Sequence, residues 1–321
     1  MIFVLLLLSD NLFAQQKTLT GYTQGTTFHI TYVDQKNVPI EDEVLTRLLE
    51  VDSSLSVYIP ESLLSRWNNN KVKEIDRHIR TCWRWSKKIN KQSGGAFDPT
   101  IFPILNYYGF GPAWLRDTTI QPDSLWKRVG FDQVYKNGKA LEKKNHEVQM
   151  DFNAIAQGYS VDLICEMLDS YGIHNYLVEI GGEVRAKGLD ENGNNWLVGI
   201  ESAKENRTSL NDIVDIVQAH NIAIATSGNY RKFIESGGTR ISHQIDPRFH
   251  TVKTSHIISA TVLAKNAMLA DAYATVFCLL DLEESKKLLR KLKQIDVRII
   301  YQSESGTTET YESKNFGAYL K

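Results

Sequence analysis

The chain has 321 residues and a formal net charge of −1, with 37 Lys and Arg against 38 Asp and Glu. That balance leaves no broad basic surface for nucleic acid, and an apolar share of 42% supplies a sizeable core. Cys82, Cys165 and Cys278 stand far apart, without CxxC spacing or His companions, which argues against a disulfide framework or zinc site.

The chain opens on a short apolar run, MIFVLLLL, that ends near Leu12-Phe13-Ala14-Gln15. It is too short to span a bilayer and fits the h-region of a secretory signal cleaved after Ala14, although a basic n-region is missing. The alternative is a buried N-terminal strand. No Cys follows the run, so a lipoprotein is not expected. The expectation is an exported, periplasmic or periplasm-facing protein, with residues 1–14 as signal peptide. Residues 15–321 then form one domain or two intimate lobes.

Residues 20–33 alternate and are rich in Thr, Tyr and Phe, which predicts a strand interrupted at Gly25. Residues 41–55 carry Val44, Leu45, Leu48, Leu49 and Val51 at helical spacing; Pro60 then forces a break, and Ser62 can cap a second short helix. Residues 76–92 predict a basic amphipathic helix whose charged face is solvated and backed by Trp83 and Trp85. Ser93-Gly94-Gly95-Ala96-Phe97-Asp98-Pro99-Thr100 reads as a loop in which two glycines bring backbone close to something. After an irregular aromatic excursion, residues 136–150 predict a hairpin turning at Asn137-Gly138, with a second strand ending at Met150.

Residues 151–162 lead from that strand into a helix, an arrangement in which backbone N–H groups gather and anions bind. A strand over 176–180 ends at Gly181-Gly182, either a plain hairpin bend or a close approach to a ligand. Residues 196–201 and 213–219 are expected to continue the same sheet. Residues 221–231 and 241–248 predict a strand, bend and strand, with His243 three residues before Asp246; a lone His is ordinarily structural. One more strand follows at 257–264.

An apolar helix is predicted over 267–280. Asp271 and Thr275 lie four residues apart on it and project from one face. A carboxylate in such a setting needs a partner. It could meet backbone N–H groups while Thr275 bonds back to its own turn, or both could meet an oxygen-preferring cation such as Mg²⁺. An amphipathic helix over 283–293 and strands over 297–301 and 309–311 close the chain.

Together, the stretches GTTFHITY, SVYIPESLLSRWN, SGGAFDPT, DFNAIAQGYSVD, LVEIGGEVRAKG, ATSGNYRKF, SHQIDPR and ADAYATVF resemble the FAD:protein FMN transferase (ApbE-type) family in content and order. The resemblance implies an α+β fold of mixed, largely antiparallel sheets packed with helices. It implies FAD as substrate, a divalent metal, Mg²⁺, across the pyrophosphate, and transfer of FMN to a Thr or Ser hydroxyl of an acceptor protein with release of AMP. By position, Asp271, Thr275 and the backbone carbonyl of Ala154 resemble metal ligands. Gln24, Tyr58, Ala96, Phe97, Asp98, Asp151 and Gln157 resemble the FAD pocket. His243 is the candidate base, itself beside the flavin nucleotide, with Asp246 as an orienting carboxylate. The family also implies an acceptor among electron-transport subunits of the cell envelope; oligomeric state is left open.

Three positions depart from the family pattern. Gln157 stands where Lys is common, Gln24 replaces a frequent Met, and His250 stands where the DP-x-x-G turn has Gly, which implies a reshaped turn. A pyrophosphatase giving FMN and AMP, and an exported flavin-binding protein without turnover, are the alternatives.

Overall fold

A computed structural model describes residues 15–34, 36–115, 119–201, 213–229, 233–236, 239–250 and 255–321. The apolar N-terminal run (residues 1–14), and Tyr230-Arg231-Lys232 of the ATSGNYRKF stretch, lie outside them. No helix among the described residues is long and apolar enough to cross a membrane.

The architecture is α+β, built on an eight-stranded sheet of order β1-β2-β5-β6-β9-β12-β13-β14. In chain order these strands are β1 (Gln15–Thr23), β2 (Thr26–Asp34), β5 (Tyr176–Ile180), β6 (Glu183–Lys187), β9 (Ile222–Gly228), β12 (Ile257–Ala264), β13 (Ile295–Gln302) and β14 (Thr308–Glu312). Each pairing within it is antiparallel. Three two-stranded sheets flank it: β3 (Val134–Asn137) with β4 (Ala140–Lys143), β7 (Trp196–Glu201) with β8 (Ile213–Ala219), and β10 (Phe233–Ser236) with β11 (Thr239–Ser242).

Two turns at the sheet's inner rim follow directly from sequence. The interruption expected at Gly25 is a hairpin: Gln24 (φ 51°) and Gly25 (φ 72°) both take left-handed backbone, the two-residue turn that matches strand twist. Gly181 (φ 63°) and Gly182 (φ 101°) turn β5 into β6 in the same way. The two hairpins touch, because the Gly181 N–H donates to the Thr27 carbonyl at 3.1 Å.

The helices are α1 (Glu41–Leu55), α2 (Leu63–Asn68), α3 (Arg77–Gln92), α4 (Phe102–Tyr107), α5 (Pro122–Leu125), α6 (Asn153–Ser170), α7 (Ala267–Leu279) and α8 (Leu282–Leu289). In α3, Asp76 caps the first turn and His78, Ile79, Cys82, Trp83, Ser86 and Ile89 form the buried face. Both α6 and α7 are apolar almost all round, as fits helices packed between the sheet and a further layer. α7 lies on β6, β9 and β12, and α6 on β5 and β6, with the two helices against each other. The three cysteines are buried and free.

Four expectations change. β7 and β8 do not extend the main sheet, because β6 pairs directly with β9 through Val184 and Ile224 and leaves them no edge. The second strand of the 136–150 hairpin ends at Lys143. Beyond it, the Asn68 side chain pairs with Met150 as a strand would, accepting from its N–H at 2.8 Å and donating to its carbonyl at 2.9 Å. The stretch 241–248 is a strand only to Ser242, after which Pro247–Phe249 form a 3-10 turn. The turn at His250 keeps a glycine-like backbone, since His250 itself adopts φ 51° and stacks on Trp126 with ring centroids 5.4 Å apart.

Candidate active site

Gln24, Tyr58, Ala96, Phe97, Asp98, Asp151, Ala154, Gln157, His243, Asp271 and Thr275 all line a single cleft of about 1130 Å³. That is room for a dinucleotide rather than a small metabolite. Asp246 alone of the sequence candidates does not line it.

The floor is the contact between α6 and α7. Gly158 lets the helices approach so closely that a Cβ there would meet the Ala267 carbonyl oxygen at 2.3 Å and Asp271 Cβ at 2.8 Å. At that separation the Gly158 N–H donates to Asp271 Oδ2 at 3.0 Å. Among the described residues no other hydrogen bond reaches the Asp271 carboxylate, whose burial raises its pKa to about 7 against the opposing pull of Gly158. Thr275, one turn on, has its hydroxyl 3.3 Å from Ser227 Oγ. A helical N–H ordinarily serves the carbonyl four residues back, so Gly158 is the natural partner of Ala154. The same N–H also serves Asp271, so the Asp271 carboxylate meets α6 within one turn of Ala154, and both residues line the cleft.

The walls are built from loops tied at several points. Asp98 caps the turn Pro99–Ile101, accepting from the Thr100 N–H (2.9 Å) and hydroxyl (2.7 Å) and, across the loop, from the Phe131 N–H (2.9 Å). Both its oxygens are engaged, and burial raises its carboxyl to about 6. Ala96 and Phe97 are held by Ser93, whose hydroxyl accepts from the Phe97 N–H, and by Asn90, which donates to the Phe97 carbonyl. Asp151 accepts from the N–H and side chain of Asn153, at the first turn of α6. Tyr58 is 51% exposed and donates to the Phe110 carbonyl, bridging two walls at the mouth. Burial and then the Asp151 charge raise its pKa. Gln24 donates to Ser160 Oγ at 2.5 Å, and the Gln157 amide lies against Gly181.

His243 follows β11, its ring edge-on to Phe110 at 6.1 Å. Ser242 steadies the backbone on both sides, donating to Asn229 Oδ1 and accepting from the Gln244 N–H. Asp246 faces Arg248, which reaches it through the backbone N–H, Nε and Nη2 and continues to Glu284 of α8. This braces the loop that carries His243 against α8.

Two lining acids escaped the sequence reading. Asp52 sits half-buried beside the Thr23 hydroxyl, its pKa raised by burial, and Glu183 is 8% exposed at the start of β6. A carboxylate inside an apolar helix face (Asp52) and one directly after the paired glycines (Glu183) were the available signals. Among the described residues the cleft therefore carries five carboxylates, Asp52, Asp98, Asp151, Glu183 and Asp271, and no Lys or Arg. A diphosphate entering it needs a cation of its own. Among the described residues no group of three or more His, Cys, Asp or Glu could hold a metal by itself. One carboxylate, a hydroxyl and a main-chain carbonyl fit Mg²⁺, which keeps several waters and takes substrate phosphate oxygens for the rest of its shell.

A model of the ApbE family matches residues 24–299. The FAD:protein FMN transferase of Vibrio cholerae is 34% identical, over 96% of this chain and 93% of its own length. That of Haemophilus influenzae is 31% identical, over 95% and 90%. Among solved structures, the flavin transferase ApbE from Vibrio cholerae is similar at a TM-score of 0.83 and 32% identity, covering 96% of this chain and 100% of that one. The apo flavinyl transferase ApbE from Pseudomonas stutzeri is similar at 0.83 and 28% identity, covering 96% and 97%.

Proposed function

The chain belongs to the ApbE family and is an FAD:protein FMN transferase, and we propose that it works by Mg²⁺-assisted attack of an acceptor Thr or Ser hydroxyl on the FMN-side phosphorus of FAD. The observation that carries this reading is the charge of the cleft: five carboxylates and, among the described residues, no cation line the space for a diphosphate. Asp271, Thr275 and the Ala154 carbonyl would hold the ion. Bound there, Mg²⁺ would supply positive charge against the diphosphate oxygens.

The protein's own groups do the rest. Walls at Ala96–Asp98, Gln24, Asp151 and Gln157 fix the dinucleotide, and Tyr58 bounds the acceptor side. The hydroxyl oxygen bonds to phosphorus, the bond from that phosphorus to the AMP phosphate breaks, and the hydroxyl proton passes to His243. An imidazole nitrogen is the side-chain group suited to taking such a proton at neutral pH. Asp246 acts at one remove, fixing Arg248 and with it the loop bearing His243. The products are AMP and FMN joined to the acceptor through a phosphoester. The apolar run at residues 1–8 supports export, so the acceptor is a protein on the periplasmic side, with envelope electron-transport subunits as the proposed class.

Incubation with FAD, Mg²⁺ and a Thr-bearing acceptor peptide tests the reading. Flavin covalently bound to the peptide, with stoichiometric AMP, is expected. Free FMN and AMP without labelled peptide would make water the acceptor. Unchanged FAD would remove the catalytic reading altogether.

A further inference from the structure

The N-terminus of α7 is held from outside its own helix. Of its four leading N–H groups, Leu269 donates to the Asn266 side chain at 3.1 Å and Ala270 to the Asn266 carbonyl at 3.2 Å. The first two go to α6: Ala267 N–H donates to Asp162 Oδ1 at 3.0 Å and Met268 N–H to Oδ2 at 2.9 Å. Behind Asp162, Arg185 of β6 donates to Oδ1 at 2.7 Å. The pair is partly enclosed, with side-chain exposures of 9% for Asp162 and 24% for Arg185.

This contact is reciprocal with the one already described. Gly158 and Asp162 stand one turn apart on α6, as Ala267 and Asp271 do on α7. At one level α6 supplies the N–H and α7 the carboxylate; at the next, α7 supplies the N–H groups and α6 the carboxylate. The two levels together fix both the axial offset and the rotation of α7 against α6. A slide of about 1 Å along the axis breaks both sets. In this register Asp271 and Ala154 line the same cleft.

We propose that Asp162, backed by Arg185, is a positioning residue that aims Asp271 at the metal, an inference that rests on the metal reading above. Asp162 touches neither substrate nor ion. Its carboxylate sets the register of α7, and the register turns the Gly158 N–H onto one Asp271 oxygen while keeping that carboxylate at the cleft.

The test is Asp162→Asn, which keeps the shape but turns one acceptor into a donor facing a backbone N–H. Calorimetric titration of Mg²⁺ into the FAD-loaded protein without acceptor is expected to give a dissociation constant raised about 10- to 100-fold, the range for groups that orient a metal ligand. FAD affinity without Mg²⁺ should stay within about twofold. A purely structural role would lower the melting temperature and leave the Mg²⁺ constant alone; that result, in a folded variant, overturns the proposal. Should Asp162→Asn not fold, Arg185 decides: Arg185→Gln should weaken Mg²⁺ binding and Arg185→Lys restore it, and equal binding in both overturns the proposal. A parent protein that binds no Mg²⁺ would sink the metal reading itself, whereas a binding parent with unaltered variants sinks only this inference.

Discussion

Replacing Gly158 with Ala sets two physical effects against each other. In an exposed helix interior the change stabilises by about 1 kcal/mol, because Ala loses less backbone entropy on folding. Here the added Cβ would lie 2.3 Å from the Ala267 carbonyl oxygen and 2.8 Å from Asp271 Cβ, neither of which can swing aside. The helices must part by about 1 Å, and overpacking of this kind costs about 1–3 kcal/mol. The same movement stretches the 3.0 Å bond from Gly158 to Asp271 past useful length. A hydrogen bond to a carboxylate contributes about 1.5–3 kcal/mol, less what a protonated carboxyl forgoes. The losses outweigh the gain, so urea unfolding followed by Trp fluorescence should show the variant less stable by about 2–4 kcal/mol. The Mg²⁺ half-saturation should rise with it. A variant as stable as the parent, with the same Mg²⁺ dependence, would refute the reasoning.

Burial raises the Asp271 carboxyl to about 7, so Mg²⁺ must displace a proton in neutral and acid solution. Mg²⁺ affinity measured calorimetrically should fall about tenfold per pH unit below 7 and level off above it. The folded, ion-free protein binds this proton more tightly than the unfolded chain, so its stability should decline as pH rises from about 4 to 7. Asp271→Asn should abolish both dependences along with turnover. His243→Ala should slow transfer at least about 100-fold while sparing FAD affinity, the usual share of a general base; lost FAD binding would make it a pocket residue instead. Gln157→Lys adds a cation to a cleft lined by carboxylates. It should tighten FAD binding in the absence of Mg²⁺ about tenfold, as a charge-assisted phosphate contact does, and unchanged binding there would place Gln157 away from the phosphates.

How far the sequence could be read depended on the range of each determinant. Asp271 and Thr275 were legible because four-residue spacing puts them on one helical face whatever the helix packs against. The span of α1 was legible, since Val44, Leu48 and Val51 carry the period and acids fill its first turn, but Leu45 and Leu49, grouped with them by spacing, lie exposed outside the buried face. Gly158 was legible only as a glycine in a helix; its reason is a carbonyl on another element. Asp52 and Glu183 look like ordinary polar positions until folding encloses them. The fate of β7 and β8 was hidden for a related reason. An alternating pattern states that one face is covered, but not by which sheet. His250 shows the converse, a side chain in a conformation usually left to glycine, held there beside Trp126.

The two partners at the cleft floor, Gly158 and Asp271, are 113 residues apart in the chain. The intervening polypeptide threads four central strands, β5, β6, β9 and β12, before α7 can return to α6. Joining such distant segments carries a loop-closure cost that is recovered only when those strands have docked. If the cleft holds Mg²⁺ as proposed, its affinity reports on the docking of those strands. Loosening an inner strand would part Gly158 from Asp271 even where the β1–β2 hairpin keeps its own pairing.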